Sequence, residues 1–302
     1  MNLLSRRDFM RAGAAGAGAV AAWPGWAAAQ EATKDAPKPA SATDRVEIGK
    51  SGVKVSRLAQ GTGANGWQKQ SDQTRLGMDG FVNLIRHDFD SGINFFDMAD
   101  LYGSHPFMKN ALQSIPRDQV VLLSKIWFAG GGGMKAATAA KPEIERFRQE
   151  LGTDVIDICL VHCVTNPRWP EQQKQIRDEL SELKEKGVVK VVGCSCHSLE
   201  ALRVAAEDPW TELIFSRIND KQKKMDGRPA EVAAVLRQAR KNGKFVVGMK
   251  IYGCGDLTKK EDRDASLRYV LNNKLVDAMT IGFTDPAQVD DSIGHIAEVL
   301  KG

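Results

Sequence analysis

From residue 45 onward, short apolar runs alternate with longer polar stretches in which apolar residues recur every third or fourth position. A hairpin pattern comes first: Val46-Glu47-Ile48, a turn at Gly49-Lys50-Ser51-Gly52, then Val53-Lys54-Val55. Strand patterns follow at 57–60, 93–96, 120–125, 156–162, 188–193, 213–218, 245–250 and 278–281. They are nearly continuously apolar, as strands covered on both faces are. Helical patterns separate them, the clearest at 171–186, 229–241, 262–272 and 286–301, several closed by Gly or Asn. Eight strand–helix units in about 250 residues predict an α/β fold, a (β/α)8 TIM barrel. In such a barrel, chemistry gathers where strands end.

A rival pattern is Gly61-Thr62-Gly63-Ala64-Asn65-Gly66, which matches G-x-G-x-x-G directly after a strand. A dinucleotide-binding fold needs a helix opening on the third glycine, and Trp67–Asp72 intervenes instead. No acidic residue closes a second strand at the required distance. Composition narrows the class further. Hydrophobic residues are 42% and charged residues 26% of 302, the balance of a globular chain. A net charge of +4 with no basic run is too even for an electrostatic nucleic-acid binder.

Residues 1–30 stand apart. Ser5-Arg6-Arg7-Asp8-Phe9-Met10-Arg11 carries paired arginines, a weakly apolar Ala/Gly run follows, and Ala27-Ala28-Ala29 supplies small residues for cleavage. This resembles a twin-arginine (Tat) export signal and implies recognition by the Tat machinery and a periplasmic or extracytoplasmic destination. The apolar run is short, Gly-rich and broken at Pro24-Gly25, so no stable membrane span is expected. Residues 31–44 read as a flexible linker and 45–302 as the barrel. Loss of residues 1–29 takes Arg6, Arg7, Arg11 and Asp8 from the total, leaving +2.

Four polar residues stand where apolar strands end: Asp97, Lys125 and His162 at strand ends, and Tyr102 five residues after Asp97. Singly, each reads as a solvated loop or packing residue. Together, after the second, third and fourth strands, they suit protonation of a carbonyl oxygen. A phenol's ordinary pKa of about 10 is too high for easy proton exchange at neutrality. A neighbouring ammonium lowers it, a carboxylate holds the ammonium, and a histidine orients the carbonyl.

The run Ile93–Gly103, "INFFDMADLYG", resembles the D-x-A-x-x-Y-G signature of the aldo-keto reductase family, and "LLSKIW" and "DICLVHC" resemble its lysine and histidine strands. The resemblance covers roughly residues 45–300 and implies a hairpin closing the barrel bottom. It also implies Asp97, Tyr102, Lys125 and His162 as a catalytic tetrad, with Tyr102 as general acid. The implied cofactor is NADPH, with NADH as the alternative. The implied substrate is a small aldehyde or ketone, or the corresponding alcohol. Cofactor contacts carried over are Ser195 and Cys196 after the fifth strand, Asn219 after the sixth, and Met249, Lys250 and Gly253 after the seventh. Gly282, Thr284, Gln288 and Asp291 follow the eighth.

The sequence departs from the family where the nicotinamide amide is held. Cys196 replaces an asparagine, Phe215 a glutamine, and Met249 an aromatic. These departures motivate a second reading, a nucleotide-binding barrel without turnover. Trp67, Trp127, Phe128 and Trp169 follow strand ends and are candidates for a substrate pocket, loop packing being the alternative. Cys159, Cys163, Cys194, Cys196 and Cys254 read as plain buried thiols, several of them expected near one mouth. A disulfide remains open, and so does a redox protein with a metal at that mouth, although no C-x-x-C pair exists and no metal ligand set is assigned.

Overall fold

A computed structural model describes residues 40–131 and 133–301. The Tat-like segment and most of the linker lie outside the described residues. The last linker residues do not: Ala42 is buried and its carbonyl accepts from Leu58 N at 2.8 Å. The packed body therefore starts before residue 45, because Ala42 caps the lower end of the first barrel strand.

The hairpin pairs β1 (Arg45–Glu47) with β2 (Lys54–Ser56) in antiparallel register. Eight parallel strands then close a barrel. They are β3 (Leu58–Gly61), β4 (Phe95–Asp97), β5 (Val121–Ile126), β6 (Ile156–Val164), β7 (Val189–Cys196), β8 (Leu213–Arg217), β9 (Phe245–Met249) and β10 (Ala278–Ile281), with β10 paired to β3. The helices are α1 (Gly77–Asp90), α2 (His105–Ala111), α3 (Lys141–Leu151), α4 (Trp169–Gln172), α5 (Lys174–Glu185), α6 (Leu199–Glu207), α7 (Pro229–Lys241), α8 (Lys260–Asn272) and α9 (Pro286–Lys301). The expected helix at 171–186 is two pieces, because Gln173 leaves helical geometry at φ −105°, ψ 23°. No helix of the described residues is long and apolar enough to cross a membrane.

Strand alternation sorts the core into two sets. Inward residues such as Ala59, Phe95, Leu123, Leu160, Phe215 and Val247 fill the barrel, and Ile48, Val53 and Val55 of the hairpin plug its bottom. Outward residues such as Leu122, Ile126, Cys159, Val161, Ile214 and Val246 pack under the helices. Continuing the alternation upward, the topmost inward positions are Gly61, Asp97, Lys125, His162, Ser195, Arg217, Met249 and Thr280. Apolar layers below and a polar layer at the C-terminal ends of the strands put the chemistry at one mouth.

The lower rim is held by side chains that accept backbone N–H groups from a neighbouring strand. Asn94 Oδ1 accepts from Ser56 N (2.7 Å), Asp157 Oδ2 from Leu122 N (2.9 Å), Glu212 Oε2 from Val192 N (3.1 Å) and Asp277 Oδ2 from Val246 N (2.9 Å). Asp157 is buried and also binds Arg117 at 2.7 Å and Lys190 at 2.8 Å. Asp157→Ala strips a buried amide and a partly buried guanidinium of their acceptor, so a loss of about 3 kcal/mol is expected. Urea unfolding of the variant beside wild type measures it.

Candidate active site

Asp97 ends β4, and a tight 3-10 turn, Asp100–Tyr102, follows it. The turn stops at Gly103, whose left-handed φ of 70° suits glycine. This swings the Tyr102 ring back over the barrel mouth. Lys125, on the neighbouring β5, is 2% exposed and donates to Asp97 and to Met98 O at 2.9 Å. The other Asp97 oxygen accepts from Thr280 Oγ1 at 3.0 Å. The Lys125 ammonium lies 5.0 Å from the centroids of both the Tyr102 and Phe215 rings. Tyr102 Oη and His162 Nε2 are 3.4 Å apart. All four expected tetrad residues thus meet at one point.

The electrostatics differ from expectation in one respect. Although the Lys125 ammonium lies 5.0 Å from the Tyr102 ring centroid, the phenol's pKa moves up, not down. Burial is the main cause, with the Asp97 and Cys163 charges adding to it and Arg217 opposing. Burial also lowers the Lys125 pKa against the pull of Asp97. His162 is held neutral, its pKa well below the usual 6.5, by burial, then Lys125, then His197. The His162 Nδ1 atom is buried without a partner.

Beyond the expected set, His197 and Arg217 complete the mouth. The Arg217 guanidinium binds Asp226 Oδ1 at 3.0 Å and donates to His197 Nδ1. Because arginine can only donate, Nδ1 accepts and the neutral ring carries its proton on Nε2, 3.4 Å from Cys163 Sγ. Burial, then Arg217 and the two lysines, hold His197 down to about 3. Arg217 and Thr280 are legible by counting two residues up each strand from an inward apolar position.

A cleft of about 480 Å³ opens beside Asp97 and Tyr102. Met249, Lys250, Gly282, Thr284, Gln288 and Asp291 line it as expected, and Arg263, Tyr252 and Asn65 join them. Lys250 Nζ donates to Cys254 Sγ at 3.4 Å. Gly253 opens the short turn beside the cleft with φ 62°. Gln288 Oε1 accepts from Thr284 N at 3.0 Å at the start of α9, and Asp291 pairs with Arg263 at 3.3 Å.

Asn219 does not line the cleft. Its amide donates to Lys223 O (2.8 Å) and Lys250 O (3.0 Å), so it holds the left-handed Lys250 backbone in place. Ser195 faces inward and its Oγ accepts from Cys163 N at 2.8 Å. Cys196 is a correction: it alternates outward with Cys194, their sulfurs 3.7 Å apart, and packs under the helices rather than toward a nicotinamide. Cys159 faces the same outer layer, so the expectation of a cysteine-rich mouth holds only for Cys163 and Cys254. All five thiols are free, and among the described residues no group of three His, Cys, Asp or Glu is placed to hold a metal.

Of the aromatic candidates, Trp67 and Trp127 meet edge to face at 5.8 Å, and Trp127 stands 5.7 Å from His162. Phe128 packs against the outer core. Trp169 is a second correction. It is buried, with the Arg177 guanidinium 5.3 Å from its ring and 4.8 Å from that of Trp210. An aromatic after a strand end here serves the helix layer.

The sequence profile of the Aldo/keto reductase family matches residues 57–267. The chain belongs to this family. A protein of Glycine max named as an aldo-keto reductase is 30% identical over 165 residues, 53% of this chain and 47% of the relative. The NADH-specific methylglyoxal reductase of Escherichia coli (strain K12) is 26% identical over 172 residues, 50% of this chain and 51% of the relative. The matches thus span about half the length of these curated relatives. The holo form of an aldo-keto reductase from Bacillus halodurans superposes with TM-score 0.65 at 18% identity, covering 85% of this chain and 95% of that one. That last likeness is one of fold.

As a member of this family, the chain offers a dinucleotide a partial fit. The cationic Lys250 and the glycine turn Gly253–Gly255 suit phosphates, and Gln288 and Asp291 suit a ribose. A β-carbon on Gly282, in the cleft wall, would lie 3.1 Å from Ala64 Cβ and Gln73 Nε2, so the wall admits no larger residue unless they yield.

His197 predicts a pH effect. The native ring stays neutral down to about 3, whereas the unfolded ring takes a proton below about 6.5. Below 6.5 the unfolded state binds the extra proton, so this contribution to stability is present above 6.5 and is lost as pH falls toward 3. Between pH 6.5 and 5 the loss is about 2 kcal/mol. His197→Gln should remove that part of the slope, read from urea midpoints at the two pH values.

Proposed function

We propose that this chain reduces aldehydes or ketones, or oxidises the corresponding alcohols, with a nicotinamide cofactor. The observation that carries this is the convergence of the Tyr102 hydroxyl, His162 and the buried Lys125–Asp97 pair beside a cleft lined for a nucleotide. A bound reduced nicotinamide supplies the hydride. The protein's part is the proton. With its proton on Nε2, the neutral His162 donates a hydrogen bond to the carbonyl oxygen and orients it. Tyr102 Oη gives that oxygen its proton as the carbonyl carbon is reduced, and the product is the alcohol. The resulting phenolate faces the Lys125 ammonium across its ring and is reprotonated from solvent. Tyr102 holds its proton at neutral pH, the form that can donate in the reduction direction. Trp67 and Trp127 form an apolar wall that suits a small hydrophobic carbonyl compound.

For the nucleotide we favour NADPH, because Lys250 and Arg263 both line the cleft and suit an extra phosphate. NADH is the second reading, supported by Asp291, whose carboxylate suits a free ribose hydroxyl and repels a phosphate. The segment Ser5–Arg11 supports export by the Tat pathway and a periplasmic location.

Tyr102→Phe should lower kcat by about 10³-fold or more while leaving nucleotide affinity within about 2-fold. Turnover on an aldehyde panel and fluorescence titration with each nucleotide measure both quantities. Undiminished rates in the variant remove Tyr102 from its role. Nucleotide binding by wild type without turnover would select the non-catalytic barrel. Tighter NADH than NADPH binding would overturn the cofactor preference. A reporter fused behind residues 1–44 should leave the cytoplasm only in cells with a working Tat system.

A further inference from the structure

The G-x-G-x-x-G run at residues 61–66 has the spacing of a dinucleotide loop, but its second and third glycines serve a different neighbour. A β-carbon built on Gly63 would lie 2.2 Å from Tyr102 Cε2 and 2.5 Å from Cδ2. One on Gly66 would lie 2.6 Å from Tyr102 Cδ1 and 3.1 Å from Cε1. The two glycines therefore stand against opposite edges of one ring. Neither has a left-handed φ, so backbone conformation does not demand glycine at either position. The space the ring occupies does.

The same loop is fastened to the segment that carries the tyrosine. Thr62 N and Thr62 Oγ1 both donate to Asp97 O at 2.9 Å, and Thr62 Oγ1 lies 2.8 Å from Ser104 Oγ. Farther along, Lys69 N donates to Leu101 O at 3.0 Å and the Lys69 ammonium pairs with Asp100. Gly103 completes the fit, since a β-carbon there would come 2.0 Å from Lys69 O. Loop and tyrosine turn are held together on both sides of the ring, and the hydroxyl reaches His162 from that fixed seat.

We propose that Gly63 and Gly66 are positioning residues, a bracket of two missing β-carbons that sets where the Tyr102 hydroxyl meets the carbonyl oxygen. The proposal rests on the reading of Tyr102 as the proton donor. Carbon–carbon contacts are normally about 3.5–4.0 Å. A methyl on Gly66 must therefore push the ring by about 1 Å, and one on Gly63 by more. A displacement of about 1 Å at a reacting group can cost about 100-fold in rate.

Gly66→Ala is the cleaner kinetic test, because Gly66 lies outside the walls of the nucleotide cleft. Its kcat should fall about 100-fold while nucleotide affinity stays within about 2-fold. The second measurement is urea unfolding of Gly63→Ala and Gly66→Ala, each in wild type and in a Tyr102→Ala background. Each methyl should lower the midpoint when the ring is present and should do so far less when it is gone. A glycine variant that folds only in the Tyr102→Ala background supports the bracket equally. Wild-type kcat in Gly66→Ala, or an equal midpoint loss with and without the ring, overturns the bracket. Full activity in Tyr102→Phe would instead remove the proton-donor reading, and the unfolding comparison would still decide whether the glycines seat the ring.

Discussion

An ammonium buried to 2% exposure inside an apolar barrel stays charged only if a carboxylate stands beside it, and the architecture of the mouth follows from that pairing. Lys125 and Asp97 come from adjacent parallel strands, so the barrel's register decides whether they meet. Thr280 takes the second Asp97 oxygen and the Met98 carbonyl takes another ammonium proton, which leaves both ions well bonded. Because Asp97 immediately precedes the tyrosine turn, the ion pair also fixes where Tyr102 begins its return over the barrel.

Around that pair the mouth is kept largely neutral. His162 and His197 are unprotonated and Tyr102 holds its proton, all mainly through burial. The phenol therefore waits as an acid, and the charges of Lys125 and Arg217 matter most once it has given its proton up. Phe215, its ring centroid 5.0 Å from the Lys125 ammonium, extends the apolar floor up to that ion.

Much of this is legible in the chain. Strands covered on both faces must be apolar throughout, so all eight barrel strands stand out, and 278–281 agrees at both ends with β10. The strand ends blur where small or polar residues continue the pairing. Thus β7 runs on through Ser195 and Cys196, past the glycine that looks like its stop. Asp97, Lys125 and His162 are visible because an ionisable group interrupts an apolar run. Arg217 falls at the inward parity two residues above Phe215, although no motif marks it. Which way a side chain faces depends on parity along the strand, and that is why Cys196 lies on the other side from the one its motif implies. Trp169 departs from expectation because an aromatic after a strand can close either the pocket or the helix layer, and only tertiary packing against Arg177 decides. The direction of the Tyr102 pKa likewise depends on burial, which no motif records.

The four acceptors of the lower rim have a consequence for how the barrel holds together. They tie the hairpin strand β2 to the start of β4, β5 to β6, β7 to β8, and β9 to β10. Among the described residues, the half-exposed Lys190 of β7 also reaches Asp157 on β6. At the mouth, further side chains cross from strand to strand. Lys125–Asp97 crosses β4–β5, Ser195 Oγ accepts across β6–β7, Asn219 reaches the Lys250 carbonyl beyond β8–β9, and Gln60 Nε2 donates to Phe283 O at 3.1 Å beyond β10–β3. Lys125 and Asp97, placed for chemistry, are therefore also a stitch between β4 and β5. Enzymes commonly trade stability for an active site, so that dismantling the site makes the scaffold sturdier. Here Lys125 and Asp97 belong to the site and also join two barrel strands, so removing either one leaves a buried charge unpaired.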